Sequence, residues 1–437
     1  MKLKLLFAVL LGGALSAAAQ GGYQDGVDNY NAGRLDVAKT ILENTINDPQ
    51  TNKSVSYFYL GSIDFQNNEI EAAKANFDKG VSADPANGMN YIGLGEVALK
   101  QGQKGAAEDF FKQAMQTNKK NTALIAEVAR AYYNVDPVAY AKELNKYLDK
   151  ALKDSKNTES AAFVLQGDMK AKEDPGNAAS FYELAIEADK NKNVVNREAY
   201  VKYANTYFHV APKFAIEKLE ELNKLEPNSA LAQRELAEKY YDNSQFGSAC
   251  LQYGKYLENP NHFQKDEQRY AGLLYSAKEY DKSLEVANNV LSKDPANYYM
   301  YRIIMMDYAA KEDWPAAEAA GAKLFGHPDA QYIPNDYILY GDALTEQGKY
   351  DEAVNTFEKA ISLNPDKPEL MPKLSLVHER SGNPEKAIEV MKQYLDAGNG
   401  SVNDVVSMGR RYAALARKLE KGNPERVCLP KNISDWK

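Results

Sequence analysis

Residues 334–367 contain the pattern that limits the fold most strongly, because they predict two helices folded back on each other. The first predicted helix ends at Gly348, since glycine accepts the left-handed backbone that is common after a helix. The second begins with Asp351 and Glu352, whose charges are favoured in a first helical turn. It stops at Pro365, which cannot continue the hydrogen-bond ladder. Apolar residues recur at helical spacing in both segments: Tyr337, Ile338, Tyr340, Ala343 and Leu344, then Val354, Phe357, Ala360, Ile361 and Leu363.

The signal that ends this hairpin recurs along the chain at a nearly constant spacing. Proline follows an acidic or asparagine residue at Pro85, Pro227, Pro295 and Pro365, which lie 142, 68 and 70 residues apart. The gaps correspond to about four, two and two units of roughly 34–36 residues. Pro49 precedes Pro85 by 36 residues and begins the series. A period kept over most of the chain predicts an array of helical hairpins.

The hairpin resembles the tetratricopeptide repeat, which places small residues where its two helices touch, as Gly341 and Ala353 do here. Residues 54–121 repeat the pattern closely, whereas residues 122–193 keep the helical period with longer, proline-containing turns. The resemblance implies an all-α fold, a right-handed α-solenoid superhelix of about ten helix pairs.

Four segments follow from this interpretation. Residues 20–401 form the repeat array, and residues 422–437 are a tail without periodicity. Between them, residues 402–421 form a capping helix whose polar outer residues are expected to cover the open end of the stack: Arg410, Arg411, Arg417, Lys418 and Lys421. Residues 1–19 have the form of a secretory signal, with two lysines, an apolar stretch and a run of alanines. The apolar stretch is short for a membrane span, although a retained anchor is the alternative. We therefore expect an exported protein of the Gram-negative periplasm that does not insert into the membrane, with peripheral attachment to the outer membrane left open.

Charge and cysteine content narrow the classes of partner and cofactor. The net charge of −8 becomes −10 when Lys2 and Lys4 are removed with the signal, which argues against nucleic acid as a partner. Cys250 and Cys428 lie far apart in the sequence, so one disulfide, or a buried thiol and a free one, are both open. The four histidines lack metal-ligand spacing, and we expect no metal site.

No pattern in the chain predicts catalysis. HExxH, GxSxG and P-loop motifs are absent from the sequence, and Gly93-Leu94-Gly95 lacks the third glycine of a dinucleotide-binding turn. The array also leaves no segment of sufficient length for a separate catalytic domain. The expectation is a protein that is not an enzyme and that uses no cofactor.

The resemblance implies a binding role, in which the first helices of the pairs line a groove for a peptide or helix of a partner protein, here an envelope protein. The candidate groove residues are Lys265, Arg269, Tyr299, Arg302, Met306 and Asp342. Lys265 and Arg269 have the spacing of a carboxylate clamp, but Glu235 stands where that clamp needs an asparagine. Tyr301, Ile304, Met305 and Tyr308 are expected to pack between helices. The alternative function is an outer-membrane accessory protein that captures nutrients or glycans.

Overall fold

The computed structural model describes residues 22–363 and 367–422. Throughout these ranges the regular elements are helices, and the chain divides into two compact units, Met1–Asp266 and Glu267–Lys437. The predicted signal at residues 1–19 lies outside the described residues, as do Cys428 and the tail from residue 423 onward. Among the helices that are described, none is long and apolar enough to cross a membrane.

The first unit contains seven helix pairs in its described residues, followed by a short 3-10 turn at Gln264–Asp266. Its helices are α1 (22–31), α2 (Leu35–Thr45), α3 (Lys53–Gln66), α4 (Ile70–Ala83), α5 (Gly88–Lys100), α6 (Lys104–Thr117), α7 (Thr122–Val135), α8 (Ala141–Asp154), α9 (Ser160–Lys170), α10 (Pro175–Lys190), α11 (Arg197–Tyr207), α12 (Pro212–Leu225), α13 (Ala230–Asp242) and α14 (Phe246–Glu258).

The second unit contains four pairs and a last helix. Its helices are α15 (Glu267–Ser276), α16 (Tyr280–Lys293), α17 (Tyr298–Ala310), α18 (Trp314–Phe325), α19 (Pro334–Glu346), α20 (Tyr350–Leu363), α21 (Leu370–Arg380), α22 (Pro384–Asp396) and α23 (Val402–Gly422). The described residues therefore form eleven pairs, one more than the ten expected. The periodicity did not predict the division between Asp266 and Glu267.

Two local signals recur in many of the hairpins. Asparagine caps the first helix of successive pairs, since the side chains of Asn52, Asn87 and Asn121 each accept a backbone N–H from the first turn. Between the two helices of a pair, one residue adopts a left-handed conformation. That residue is glycine at Gly102 and Gly348, where it costs little. Other pairs place a non-glycine residue there: Asn68, Ser244, Lys278 and Glu312.

The two helices of a pair approach closely because a glycine of the first lies under an aromatic ring of the second. A Cβ at Gly95 would stand 2.2 Å from the ring of Phe111, and one at Gly341 would stand 2.8 Å from Phe357. The same pairing is found at Gly61 with Phe77 and at Gly167 with Tyr182. These rings are almost fully buried, and burial of such a side chain contributes about 1.5–3 kcal/mol.

The segment with the loosest sequence pattern folds like the others. Residues 122–193 form the pairs α7–α8 and α9–α10, and Tyr132 and Leu165 are buried in a core shared with α5 and α6. The turn between α7 and α8 is longer because Asp136, at the end of α7, accepts backbone N–H groups from Val138 and Ala139. Helical periodicity therefore predicted these pairs even where the turn residues differed.

The last helix differs from the polar cap that was expected. Arg411 was placed on the outer surface, but this was wrong, because its side chain is 9% exposed and donates to Glu379 at 2.7 Å. The exposed side chains of α23 include three valines, Val402, Val405 and Val406. Helix α23 thus buries an arginine against α21 and leaves apolar residues at its beginning uncovered.

Candidate interaction surfaces

In the first unit, the first helices of three consecutive pairs meet in a network of charged side chains. Asp168 at the end of α9 accepts from Arg130 of α7 at 2.6 Å and from Lys202 of α11 at 2.7 Å. Arg130 also contacts Glu127, and Lys202 contacts Glu198. Burial raises the pKa of Asp168, but the two cations outweigh this and hold it below its ordinary value. We call these five residues the inner network.

The first hairpins of this unit lie beside the inner network. The rings of Tyr30 on α1 and Tyr59 on α3 pack edge to face with centroids 5.0 Å apart. Burial is the main cause that raises the pKa of Tyr59, and the charges of Glu198 and Glu127 add to it. Since Glu127 and Glu198 belong to pairs four and six, the first two pairs face side chains from the middle of the unit.

Two arginine–carboxylate contacts join the first pair to the last pairs of the same unit. Arg34, between α1 and α2, donates to both oxygens of Asp266 at 2.6 and 2.8 Å, although 232 positions separate them. Arg197 of α11 donates to Asp28 of α1 at 2.9 Å and also binds Glu226. Ala32 packs against the apolar cluster that extends from α9 to α13. The seven pairs of the first unit therefore close on themselves.

The carboxylates at this junction carry altered acidity. Burial, followed by the nearby charge of Asp28, raises the pKa of Asp25 to about 7, and Arg197 opposes this only in part. Burial also raises the pKa of Asp28, despite its contact with Arg197. Three carboxylates, those of Asp25, Asp28 and Glu226, thus share one guanidinium. Carboxyl groups therefore outnumber the cation here, and the arrangement is costly when every one of them is ionised.

In the second unit, the first helices of consecutive pairs also lie side by side. Asp342 of α19 pairs with Lys373 of α21 at 2.6 Å, and one turn further Glu346 pairs with Arg380 at 2.5 Å. Between the two cations on α21, the apolar side chain of Leu376 is 39% exposed. A row of partly exposed residues follows from α17 to α21, and we call it the first-helix face: Tyr299, Met306, Ile338, Asp342 and Leu376.

The structure distributes the candidate groove residues over different environments. Lys265 is exposed and belongs to the turn that ends the first unit, whereas Arg269 lies on α15 in the second unit. Tyr299 and Met306 occupy one face of α17, seven residues apart, and both are partly buried against the apolar cluster of that pair. Asp342 is partly buried and already paired. The role of these residues in a binding groove stays a prediction.

Arg302 has a structural position. It is 9% exposed, and its guanidinium donates to both oxygens of Asp336 at 2.7 and 2.8 Å and to the carbonyl of Gln331 at 2.6 Å. Asp336 is fully buried and also accepts the N–H of Ile333, which caps α19. Arg302 therefore joins α17 to the start of α19 through its Nε and Nη2 donors.

Sequence reasoning missed Arg34, Asp28, Arg197 and Asp266, because residues so far apart share no local spacing. It also missed Asp307, which is fully buried on α17 and whose carboxyl oxygens have no hydrogen-bond partner. Burial raises the pKa of Asp307 to about 7. Within the described residues, no group of histidine, cysteine or acidic side chains has the arrangement of a metal site. Cys250 is buried on α14.

Comparison with solved structures finds proteins of similar helical build. A tetratricopeptide repeat protein from Parabacteroides merdae ATCC 43184 is 19% identical, with a TM-score of 0.36 over 67% of this chain and 98% of that one. Yeast Tom70 is 13% identical, with a TM-score of 0.36 over 94% of this chain and 98% of its own. At these TM-scores the likenesses carry no argument about function.

Comparison with curated sequences and family models is more informative. The photosystem I assembly protein Ycf3 of Synechococcus sp. (strain CC9605) is 28% identical over 94 residues, which are 20% of this chain and 54% of Ycf3. This chain thus spans about half the length of that curated relative. Residues 60–121 match the family model "Tetratricopeptide repeat", and residues 341–382 match the model "TPR repeat". The matches fall in both units and coincide with glycine-under-aromatic pairs, and they confirm that the chain is a tetratricopeptide repeat protein.

Proposed function

We propose that this protein is a non-catalytic scaffold of the bacterial cell envelope, which binds a peptide or helical segment of a partner protein along the first-helix face of its second unit. Membership of the tetratricopeptide repeat family supports the general part of this proposal, a protein-interaction scaffold. The envelope location rests on the signal-like sequence of residues 1–19. The acidic net charge of −8 favours a protein partner over a nucleic acid.

The first-helix face carries the specific part of the proposal. It combines a partly exposed tyrosine, methionine and isoleucine with an exposed leucine, Leu376. The two ion pairs between α19 and α21 flank that leucine with charges of both signs. Apolar anchors with a polar surround are the composition of sites that bind peptides and helices. In the first unit, three of the first helices, α7, α9 and α11, instead direct charged side chains into the inner network.

Affinity isolation from a cell-envelope fraction tests this function. The tagged mature chain is compared with the double variant Tyr299→Ala/Leu376→Glu, which alters two residues of the face. The matched control is Leu363→Glu, since Leu363 is an apolar residue of α20 that is 53% exposed on a second helix. We expect one protein to be retained by the parent and the control, with at least about a 10-fold loss in the double variant.

Two results would contradict the proposal. Retention of the partner by the double variant at the parental level would show that binding does not use the first-helix face. Localisation of the full-length chain to the cytoplasm after fractionation would remove the envelope role. Circular dichroism of each variant separates a loss of binding from a loss of folding.

A further inference from the structure

The first pair, α1–α2, is attached to the rest of the first unit in two different ways. Toward its neighbour α3 it forms a small apolar cluster around Ala38, Leu42 and Leu60. Across the unit it contacts pairs six and seven through Ala32 and through side chains that carry charge. Pairs three to seven are joined to their neighbours by larger shared cores, which extend from α5 to α9 and from α9 to α13.

The contacts across the unit are well formed but are not deeply buried on both sides. The side chains of Arg34 and Asp266 are 15% and 12% exposed, and Arg197 retains 29% exposure beside the buried Asp28. The residues that α1–α2 contacts across the unit also have partners of their own. Asp266 contacts Arg234 and the hydroxyl of Tyr256. Arg197 likewise keeps Glu226. If α1–α2 moved away, neither Asp266 nor Arg197 would be left without a partner.

The contacts also contain an opposing element. Asp25 lies on the same helix as Asp28, three positions before it. Both carboxyl groups are near Arg197, and Asp28 is also near Glu226. When both carboxyl groups are ionised, their negative charges repel each other in this partly desolvated site. The attachment of α1 across the unit is thus a balance of attraction and repulsion between charged groups.

We propose that the first pair is a latch: the contacts Arg34–Asp266 and Arg197–Asp28 hold it over the inner network, and when they break it swings away while the other six pairs stay folded. The latch closes the inner network to other proteins and its release exposes Arg130, Asp168 and Lys202. This inference does not depend on the proposed function of the second unit, because its test needs no partner.

The test is hydrogen exchange measured by mass spectrometry on the full-length mature chain. The variant Asp28→Asn/Arg34→Gln breaks both contacts, changes no net charge and leaves Asp266 and Arg197 with their other partners. The control Lys104→Gln/Glu143→Gln likewise keeps the net charge and removes a 2.5 Å ion pair between α6 and α8, which are close in sequence. We expect exchange of residues 22–45 to rise at least about 10-fold in the latch variant, with residues 88–117 unchanged.

A second measurement reports whether the inner network becomes exposed. Reaction of Lys202 with an amine-specific reagent is expected to accelerate in the latch variant and to keep the parental rate in the control. Unchanged exchange of residues 22–45 in the latch variant would overturn the proposal. Equal acceleration over the whole first unit would also overturn it, because the first pair would then unfold together with the core.

Discussion

The contact between Arg302 and Asp336 offers the sharpest test of how the second unit is held together. Both side chains are nearly buried, and two parallel hydrogen bonds of 2.7 and 2.8 Å connect them. Replacement of Arg302 by Met keeps most of the side-chain volume but leaves Asp336 with only the N–H of Ile333 as a partner. Removal of one partner from a buried pair costs about 3–5 kcal/mol, and the retained N–H bond places this variant near the lower end.

A double-mutant cycle isolates the contact itself. We expect Arg302→Met to lower the free energy of unfolding by about 3 kcal/mol and Asp336→Asn by about 2 kcal/mol. The double variant carries no buried charge at this position, so its loss is expected to be about 2 kcal/mol smaller than the sum. Hydrogen exchange in a denaturant series measures the local stability of residues 298–310 and 334–346, the helices that carry Arg302 and Asp336. A local measurement is needed because a chain with two units is not expected to unfold in a single two-state transition.

A coupling energy between Arg302 and Asp336 below about 0.5 kcal/mol is typical of independent sites, and it would show that their contact does not stabilise the second unit. If Arg302→Met kept the parental stability but lost partner binding, Arg302 would act in the binding groove, as the sequence predicted.

Three further predictions follow. The pKa of Asp25 in the folded state is raised to about 7, so between about pH 4 and pH 7 the folded first unit binds a proton that the unfolded chain does not. The stability of this unit is therefore expected to fall as the pH rises from about 4 to about 7 and to stay level above that range. Asp25→Asn is expected to remove this fall, worth about 2 kcal/mol after solvent screening, in thermal unfolding at pH 5 and pH 8; an equal pH dependence in the variant would contradict it. Gly95→Ala places a methyl group against Phe111 and is expected to cost about 1–3 kcal/mol. The control is Gly105→Ala on α6, where the added methyl group meets open space, and it is expected to stabilise the protein by up to about 1 kcal/mol. Both glycine variants are measured by denaturant titration, and equal effects would be inconsistent with close helix contact at Gly95. Asn87→Ala removes the cap of α5 and is expected to cost about 1 kcal/mol, measured by chemical denaturation, whereas an unchanged midpoint would show that the cap contributes nothing.

Local signals explain how much of the fold the sequence could predict. Gly348 predicted the end of α19, which the structure places at Glu346, because its effect acts within one or two residues. Pro365, from which the end of the next helix was predicted, lies outside the described residues. Gly341 was identified as a contact position, and the structure places it under the ring of Phe357. The family and the all-α solenoid class were predicted from such repeated signals and are confirmed.

Contacts between distant residues explain what the sequence could not predict. Arg34 and Asp266 are 232 positions apart, and no periodicity relates them. Arg302 was assigned to a surface because it shares a helical face with Tyr299 and Met306. Its partner Asp336 begins a helix of the next pair, so the burial of Arg302 depends on how two pairs adjoin. The groove residues were therefore predicted by spacing alone, without the packing that decides which of them remain accessible.

Site-specific photo-crosslinking in cells tests whether a partner protein binds the first-helix face of the second unit. Photoreactive residues are placed at Met306 and Leu376 on that face, and control probes at Asn289 and Lys359 on exposed parts of second helices. We expect both probes on the face to yield an adduct with the same protein and the control probes to yield none. Adducts of that protein from Asn289 or Lys359, with none from Met306 and Leu376, would contradict it.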